Sequence, residues 1–121
     1  METKINEIEV NGIKYIPKES VDMALENGLE YVIVRALNAG VFAGFLEKKE
    51  AEEVTLIKVR RLWYWAGANS CSALASDGVS KPDSCKFTAE NQKIVVKNWI
   101  EILPCTKKAQ EILRGIKIWN P

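Results

Sequence analysis

The sequence predicts an α+β fold, a mostly antiparallel sheet of about six strands with short helices packed on it and a C-terminal helix. Three observations lead there. Stretches rich in branched and aromatic residues recur at 29–37, 41–46, 54–65 and 93–103, and turn-forming or charged residues separate them. Helix signals are short, confined to the segments after Asn69-Ser70 and after Thr106 and to one marginal stretch near the N-terminus. At 121 residues, 47% hydrophobic and 27% charged, the chain has the length and composition of one soluble domain with one core. It reads as a single domain over 1–121, with an N-terminal hairpin and short helix (1–28) ahead of the core sheet and C-terminal helix (29–121).

Ile8 to Ile16 reads as a hairpin, because Asn11-Gly12 takes the two positive-φ positions of a tight turn. Pro17 ends it, and a short helix over Lys18 to Glu26 follows, stopped by Asn27-Gly28. Leu29 to Leu37 is apolar on both parities, as a central strand covered on both faces requires, and it carries Arg35. After the turn Asn38-Ala39-Gly40, Val41 to Leu46 forms the next strand, in which Gly44 marks a bulge or a close approach. The charged run Glu47 to Glu53 is expected to form a solvated loop.

Val54 to Trp65 is the third long strand. Strict alternation puts Ile57, Val59, Arg61, Trp63 and Trp65 on one face and Leu56, Arg60, Leu62 and Tyr64 on the other, and a one-residue slip exchanges the two arginines. Asn69 or Ser70 caps a short helix through Ser76, closed by Asp77-Gly78, and Val79 to Phe87 reads as a loop. Lys93 to Leu103 alternates strongly as the last long strand, with Ile94, Val96, Ile100 and Ile102 inward. Thr106 then caps a helix over Lys107 to Arg114, stopped by Gly115, and Ile116 to Trp119 docks as an extended tail.

Several function classes are excluded at this level. A formal net charge of +1 provides no long-range field for duplex nucleic acid, so any basic site is local. No window approaches the roughly 18 apolar residues of a membrane span, and the N-terminus lacks the plan of a signal peptide, so a cytoplasmic location is expected. Cys71, Cys85 and Cys105 are widely spaced and accompanied by no histidine, which removes the common zinc patterns and every Cys-His or Ser-His pair. Free thiols are expected. Gly40 and Gly44 form no phosphate-cradling motif. Glu50, Glu52 and Glu53 share one run, and Asp77 and Asp83 sit at turns, so no catalytic residue, metal site or cofactor is expected.

What remains is a binding constellation. The segment Arg60-Arg61-Leu62-Trp63-Tyr64-Trp65 holds half of the arginines and half of the tryptophans. Arginine presents a planar, permanently charged fork to phosphate oxygens, and a flat aromatic face stacks on a base. The candidates are Arg35, Arg60, Arg61 and Arg114 for phosphates, Trp63, Tyr64 and Phe87 for stacking, and Asn69, Ser70 and Ser72 for polar readout. Each has a plainer explanation beside it: core aromatics, a helix cap, or, for Arg114, a favourable charge at a helix C-terminus worth about 0.3–1 kcal/mol. Strands apolar on both faces, with tryptophans at 63, 65, 99 and 119, leave more apolar surface than short helices cover, which points to a homo-oligomer.

Tyr31-Val32-Ile33-Val34-Arg35, Ala39-Gly40-Val41-Phe42-Ala43-Gly44, Arg60 through Ala68 and Cys85-Lys86-Phe87 resemble a family of small phage proteins, identified as the Thoeris anti-defence sponges. The likeness spans about residues 29 to 119. It implies a non-enzymatic protein, assembled from dimers into a hexamer, that sequesters a cyclic ADP-ribose isomer made by a bacterial TIR-domain enzyme. Some similar proteins also hold cyclic oligonucleotides at separate sites. Carried over, Phe87 stacks on the adenine, Arg114 contacts the ligand from the C-terminal helix, and Arg60 or Arg61 takes phosphates. An asparagine contact falls at Asn91 or Asn98. The expected setting is the cytoplasm of an infected bacterial host. The alternative from a different class is a structural or protein-interaction module of a phage with no nucleotide ligand.

Overall fold

The computed structural model describes residues 8–10, 13–15 and 25–120. The strands β1 (Ile8–Val10) and β2 (Ile13–Tyr15) pair antiparallel as the expected hairpin, with Val10 opposite Ile13; the Asn11-Gly12 turn lies outside the described residues. Most of the helix expected over Lys18 to Glu26 lies outside them too. Its last two residues form β3 (Leu25–Glu26), which turns directly into β4 (Leu29–Ala36). Asn27-Gly28 is therefore a hairpin turn and not a helix stop. With Glu26 opposite Leu29, both central residues must take positive φ, and Asn27 (54°) and Gly28 (80°) do.

The main sheet has seven strands, two of them only two residues long. β4 pairs antiparallel with β5 (Val41–Lys49), and β5 with β6 (Glu53–Tyr64). The charged run forms no long loop: β5 continues to Lys49 and β6 begins at Glu53, because charged side chains on an outward strand face stay solvated without breaking the ladder. The last long strand is two strands. Asn98, at φ 57°, separates β8 (Asn91–Lys97) from β9 (Trp99–Pro104); β8 pairs with β6, while β9 pairs with β4 on the far side. In a flat sheet ordered β9-β4-β5-β6-β8 the outer strands would lie about 19 Å apart, yet one residue of about 3.3 Å joins them. The sheet must curl on itself. Asn98 fixes the corner, its N–H donating to the Glu52 carbonyl (2.6 Å) and its carbonyl accepting from Leu37 N–H (2.9 Å).

The curl creates two cores. Inside it lie Val32, Val34, Phe42, Val54, Leu56, Val59 and Val96. The other face of β4 and β5 presents Tyr31, Ile33, Ala43 and Phe45 to the helices α1 (Cys71–Asp77) and α2 (Lys107–Gly115). Ile100, expected inward, is the unopposed residue where the β4–β9 register slips, and it is 44% exposed. Thr106 links the two helices: its Oγ1 accepts from Ala109 N–H (3.1 Å) and donates to the Ser76 carbonyl (2.7 Å). Gly78 lets them close, since a Cβ there would sit 2.9 Å from Ile112.

Candidate functional site

A bulge decides which arginine is buried. Ala43 faces Arg60 and Phe45 faces Ile57, so Gly44 alone opposes both Lys58 and Val59. Lys58 takes φ 49°, and Val59 presses so close that a Cβ on Gly44 would lie 2.8 Å from the Val59 Cβ. The extra residue inverts the alternation from Val59 onward. Val59 enters the inner core, whereas Arg60 and Leu62 turn toward the helices. Strict alternation predicted the opposite for Val59 relative to Leu56, and the slip it allowed for is this bulge.

Arg60 is the buried charged residue of the described chain, 2% exposed. Its Nε donates to the Thr88 carbonyl (2.6 Å), and its Nη1 donates to the carbonyls of Leu113 (2.8 Å) and Arg114 (3.5 Å) at the end of α2. These are the last carbonyls of a helix, where partial negative charge collects, so they partly balance a guanidinium that has no carboxylate partner among the described residues. Burial pulls the Arg60 pKa down, but an arginine retains its proton at any physiological pH. Its guanidinium carbon lies 5.3 Å from the centre of the Phe87 ring.

Arg114, in the last turn of α2, stands next to it, half-buried. Its Nε and Nη2 donate as a fork to the two Glu90 carboxylate oxygens (2.6 and 2.9 Å), and its Nη1 reaches Glu26 (3.3 Å). The Glu90 hydrogen bonds raise its pKa. Beneath, the Phe45 ring centre lies 5.3 Å from the guanidinium carbon. A cavity of about 470 Å³ opens here, lined by Glu90, Gln110, Glu111 and Arg114. Among the described residues, the Tyr31 hydroxyl and Arg60 Nη2 are buried without a hydrogen-bond partner.

The other candidates are dispersed. Phe87, expected as a stacking surface in a loop, sits on a two-residue strand, β7 (Lys86–Phe87), opposite Leu62, and is 0% exposed. The ring packs in the core, with the Arg60 guanidinium over it. Arg61 points to solvent with its guanidinium carbon 4.8 Å from the Phe42 ring centre. Arg35 pairs with Glu101 across β4 and β9 (3.4 Å) and is half exposed. β4 and β9, the strands that carry this pair, both contact α1. There Ser70 is occupied as the N-cap, accepting from Ala73 N–H (3.1 Å), and donates to the Asn69 side-chain oxygen (3.0 Å). Arg35 and Tyr31 are four residues apart on β4, about 13 Å along the strand, and Arg60 comes level with Ile33 between them, so Arg35 stands apart from Tyr31 and pairs with Glu101 and not with the Arg60 and Arg114 group.

Tyr64 is exposed beside Trp63, and Lys86 Nζ lies 5.8 Å from its ring centre and 5.2 Å from that of Trp119. Trp63 and Trp119 are nearly parallel, 8° between planes, with centres 6.5 Å apart. Asn98 serves the corner with its backbone, and Asn91 begins β8. Sequence reasoning passed over Tyr31, Glu90 and Glu26. Tyr31 reads as one more apolar strand residue, and the two glutamates meet Arg114 only through the tertiary fold.

Among the described residues no helix is long and apolar enough to cross a membrane. No curated protein and no solved structure matches the chain. A family model matches residues 29–113, and the chain belongs to that family, described as a domain of unknown function (DUF6948).

Proposed function

We propose that this protein binds and holds a cyclic adenine nucleotide, a cyclic ADP-ribose isomer first and cyclic oligonucleotides as a second class. It sequesters the ligand without degrading it, and so blocks an anti-phage defence in the cytoplasm of an infected bacterium. The observation that carries the reading is Arg114: a half-buried fork beside a cavity of about 470 Å³, backed by a buried second arginine. Charge-assisted arginine-phosphate hydrogen bonds are a source of tight binding. A sponge needs nanomolar affinity, roughly −12 kcal/mol. The likeness to the sponge family supplies the ligand class. Phe87 then acts by holding Arg60, and exposed Leu37, Val95 and Ile100 support assembly into a homo-oligomer, a dimer or a trimer of dimers.

A thermal-shift screen with cyclic ADP-ribose isomers and cyclic oligonucleotides tests this, because a tight ligand in excess raises the melting temperature by mass action. Heat-denatured complex should return intact ligand; a cleaved product would make the protein an enzyme. Arg114→Ala should weaken binding by about tenfold or more. The second reading, a protein-interaction module without a nucleotide ligand, is favoured by the exposed cluster of Trp63 (66%), Tyr64 (51%) and Ile118 (52%). A screen in which no nucleotide shifts the melting temperature selects it.

A further inference from the structure

Arg114 is already occupied in a manner that matters for any phosphate. Its Nε and Nη2 form a parallel fork, and the Glu90 carboxylate fills both positions at 2.6 and 2.9 Å. A phosphate accepts from such a fork with the same bidentate geometry, so carboxylate and phosphate compete for the same two N–H groups. The cavity alongside carries two carboxylates, Glu90 and Glu111, and repels an anion while Glu90 remains in place. Glu90 itself is exposed, between β7 and β8, and has solvent to turn into. When it does, Arg114 is not left bare, since its Nη1 keeps Glu26 at 3.3 Å.

Both unmet buried groups near this pair can donate. Among the described residues Arg60 Nη2 has no acceptor, and the Tyr31 hydroxyl, able to donate as well as accept, has no partner. At 2% and 0% exposure these residues are out of reach of bulk water. Burial pushes the Tyr31 pKa upward, which keeps its hydroxyl protonated and able to donate. The Phe45 ring joins these groups in space: its centre lies 5.0 Å from that of Tyr31 and 5.3 Å from the Arg114 guanidinium carbon, and the charges of Glu90, Arg114 and Arg60 act on the hydroxyl. Buried donors without acceptors are costly, and an oxygen that accepts from them removes the cost.

We infer that Tyr31, Arg60 and Arg114 form a subsite for phosphate oxygens, which the Glu90 carboxylate closes in the ligand-free chain as a built-in competitor. For the identity of the natural ligand it rests on the nucleotide reading; the subsite itself is testable with a simpler anion. Glu90 tunes affinity downward and sets selectivity, because only an anion that takes the fork better than a tethered carboxylate displaces it.

The experiment is a calorimetric titration of inorganic pyrophosphate into the full-length protein and its Glu90→Gln variant at constant ionic strength. The glutamine retains size and one acceptor but gives up the charge-assisted pair, so pyrophosphate should bind about tenfold more tightly or better. Tyr31→Phe in the Glu90→Gln background should lose several-fold of that gain without lowering the melting temperature, because it deletes a hydroxyl that has no partner in the free chain. Equal or weaker binding by Glu90→Gln overturns the competitor role, and an unchanged titration after Tyr31→Phe overturns the subsite. Cyclic ADP-ribose titrated in parallel separates the two readings. Nucleotide binding to both proteins without a gain in Glu90→Gln sinks the competitor alone. A pyrophosphate gain without nucleotide binding to either protein sinks the nucleotide reading alone, and silence from both ligands sinks both.

Discussion

Arg60 Nη1 donates to the Leu113 carbonyl at 2.8 Å, fastening the middle of β6 to the end of α2 across a sequence separation of 53 residues. The bond is buried and charge-assisted, and the same side chain also holds the Thr88 carbonyl. Arg60→Ala leaves both acceptors unmet and opens a cavity against Phe87, so it should cost about 3–5 kcal/mol in urea denaturation. The adjacent Arg61→Ala removes an exposed side chain and should stay within about 0.5 kcal/mol. Equal effects would mean that the bulge does not set which arginine is buried.

Gly44 is the permissive half of that bulge. A methyl group there would meet the Val59 Cβ at 2.8 Å and the Ile57 carbonyl at 3.2 Å, neither the mobile end of a side chain. Gly44→Ala should therefore destabilise the protein by about 1–3 kcal/mol, as overpacking does, despite the usual preference for alanine over glycine in strands. A thermal melt equal to wild type would show that the strands part at no cost.

Burial pushes the Cys105 thiol up to about 12 from its ordinary 9.0 and raises the Tyr31 phenol as well. Both groups hold their protons in the folded chain at pH values where the unfolded chain has lost them. Between about pH 9 and 12 the folded state then binds more protons, and stability falls as pH rises, by at most about 1.4 kcal/mol per pH unit per group. Denaturation at pH 8 and pH 10.5 checks this, and Cys105→Ala should flatten the decline.

The same environment predicts an order of thiol labelling. Cys71 is partly exposed at the start of α1, with a thiol pKa raised by burial and so a modest reactivity. Cys85 and Cys105 are buried. A thiol reagent at pH 8 should label Cys71 first and Cys105 only on unfolding, read by mass spectrometry of the peptides; prompt labelling of Cys105 would contradict its burial.

Thr106 closes the helix pair. Thr106→Ala removes both the N-cap acceptor for Ala109 and the donor to Ser76, and should cost about 1–2 kcal/mol, with Thr106→Ser recovering most of it. Thermal melts of the three proteins decide.

The local patterns settled in advance were those whose cause is local. β4 reads as a two-faced central strand because both parities are apolar, and the caps at Ser70 and Thr106 are written in side chains that reach their own backbone. Gly44 was legible as an irregularity, though not as the one that turns Arg60 inward. Asn27-Gly28 shows the limit: the same dipeptide stops a helix or turns a hairpin, and only the pairing of Leu25 with Glu30 selects the turn. The break at Asn98 follows from closure, since β8 and β9 must reach opposite edges of one curled sheet, and no window around residue 98 contains that requirement. The meeting of Glu26, Tyr31, Arg60, Glu90 and Arg114 is of the same kind. Charge and hydrogen-bonding partners are chosen by distance in space, and the chain brings these five together only after the bulge has set the facing of β6 and α2 has docked its last turn above it.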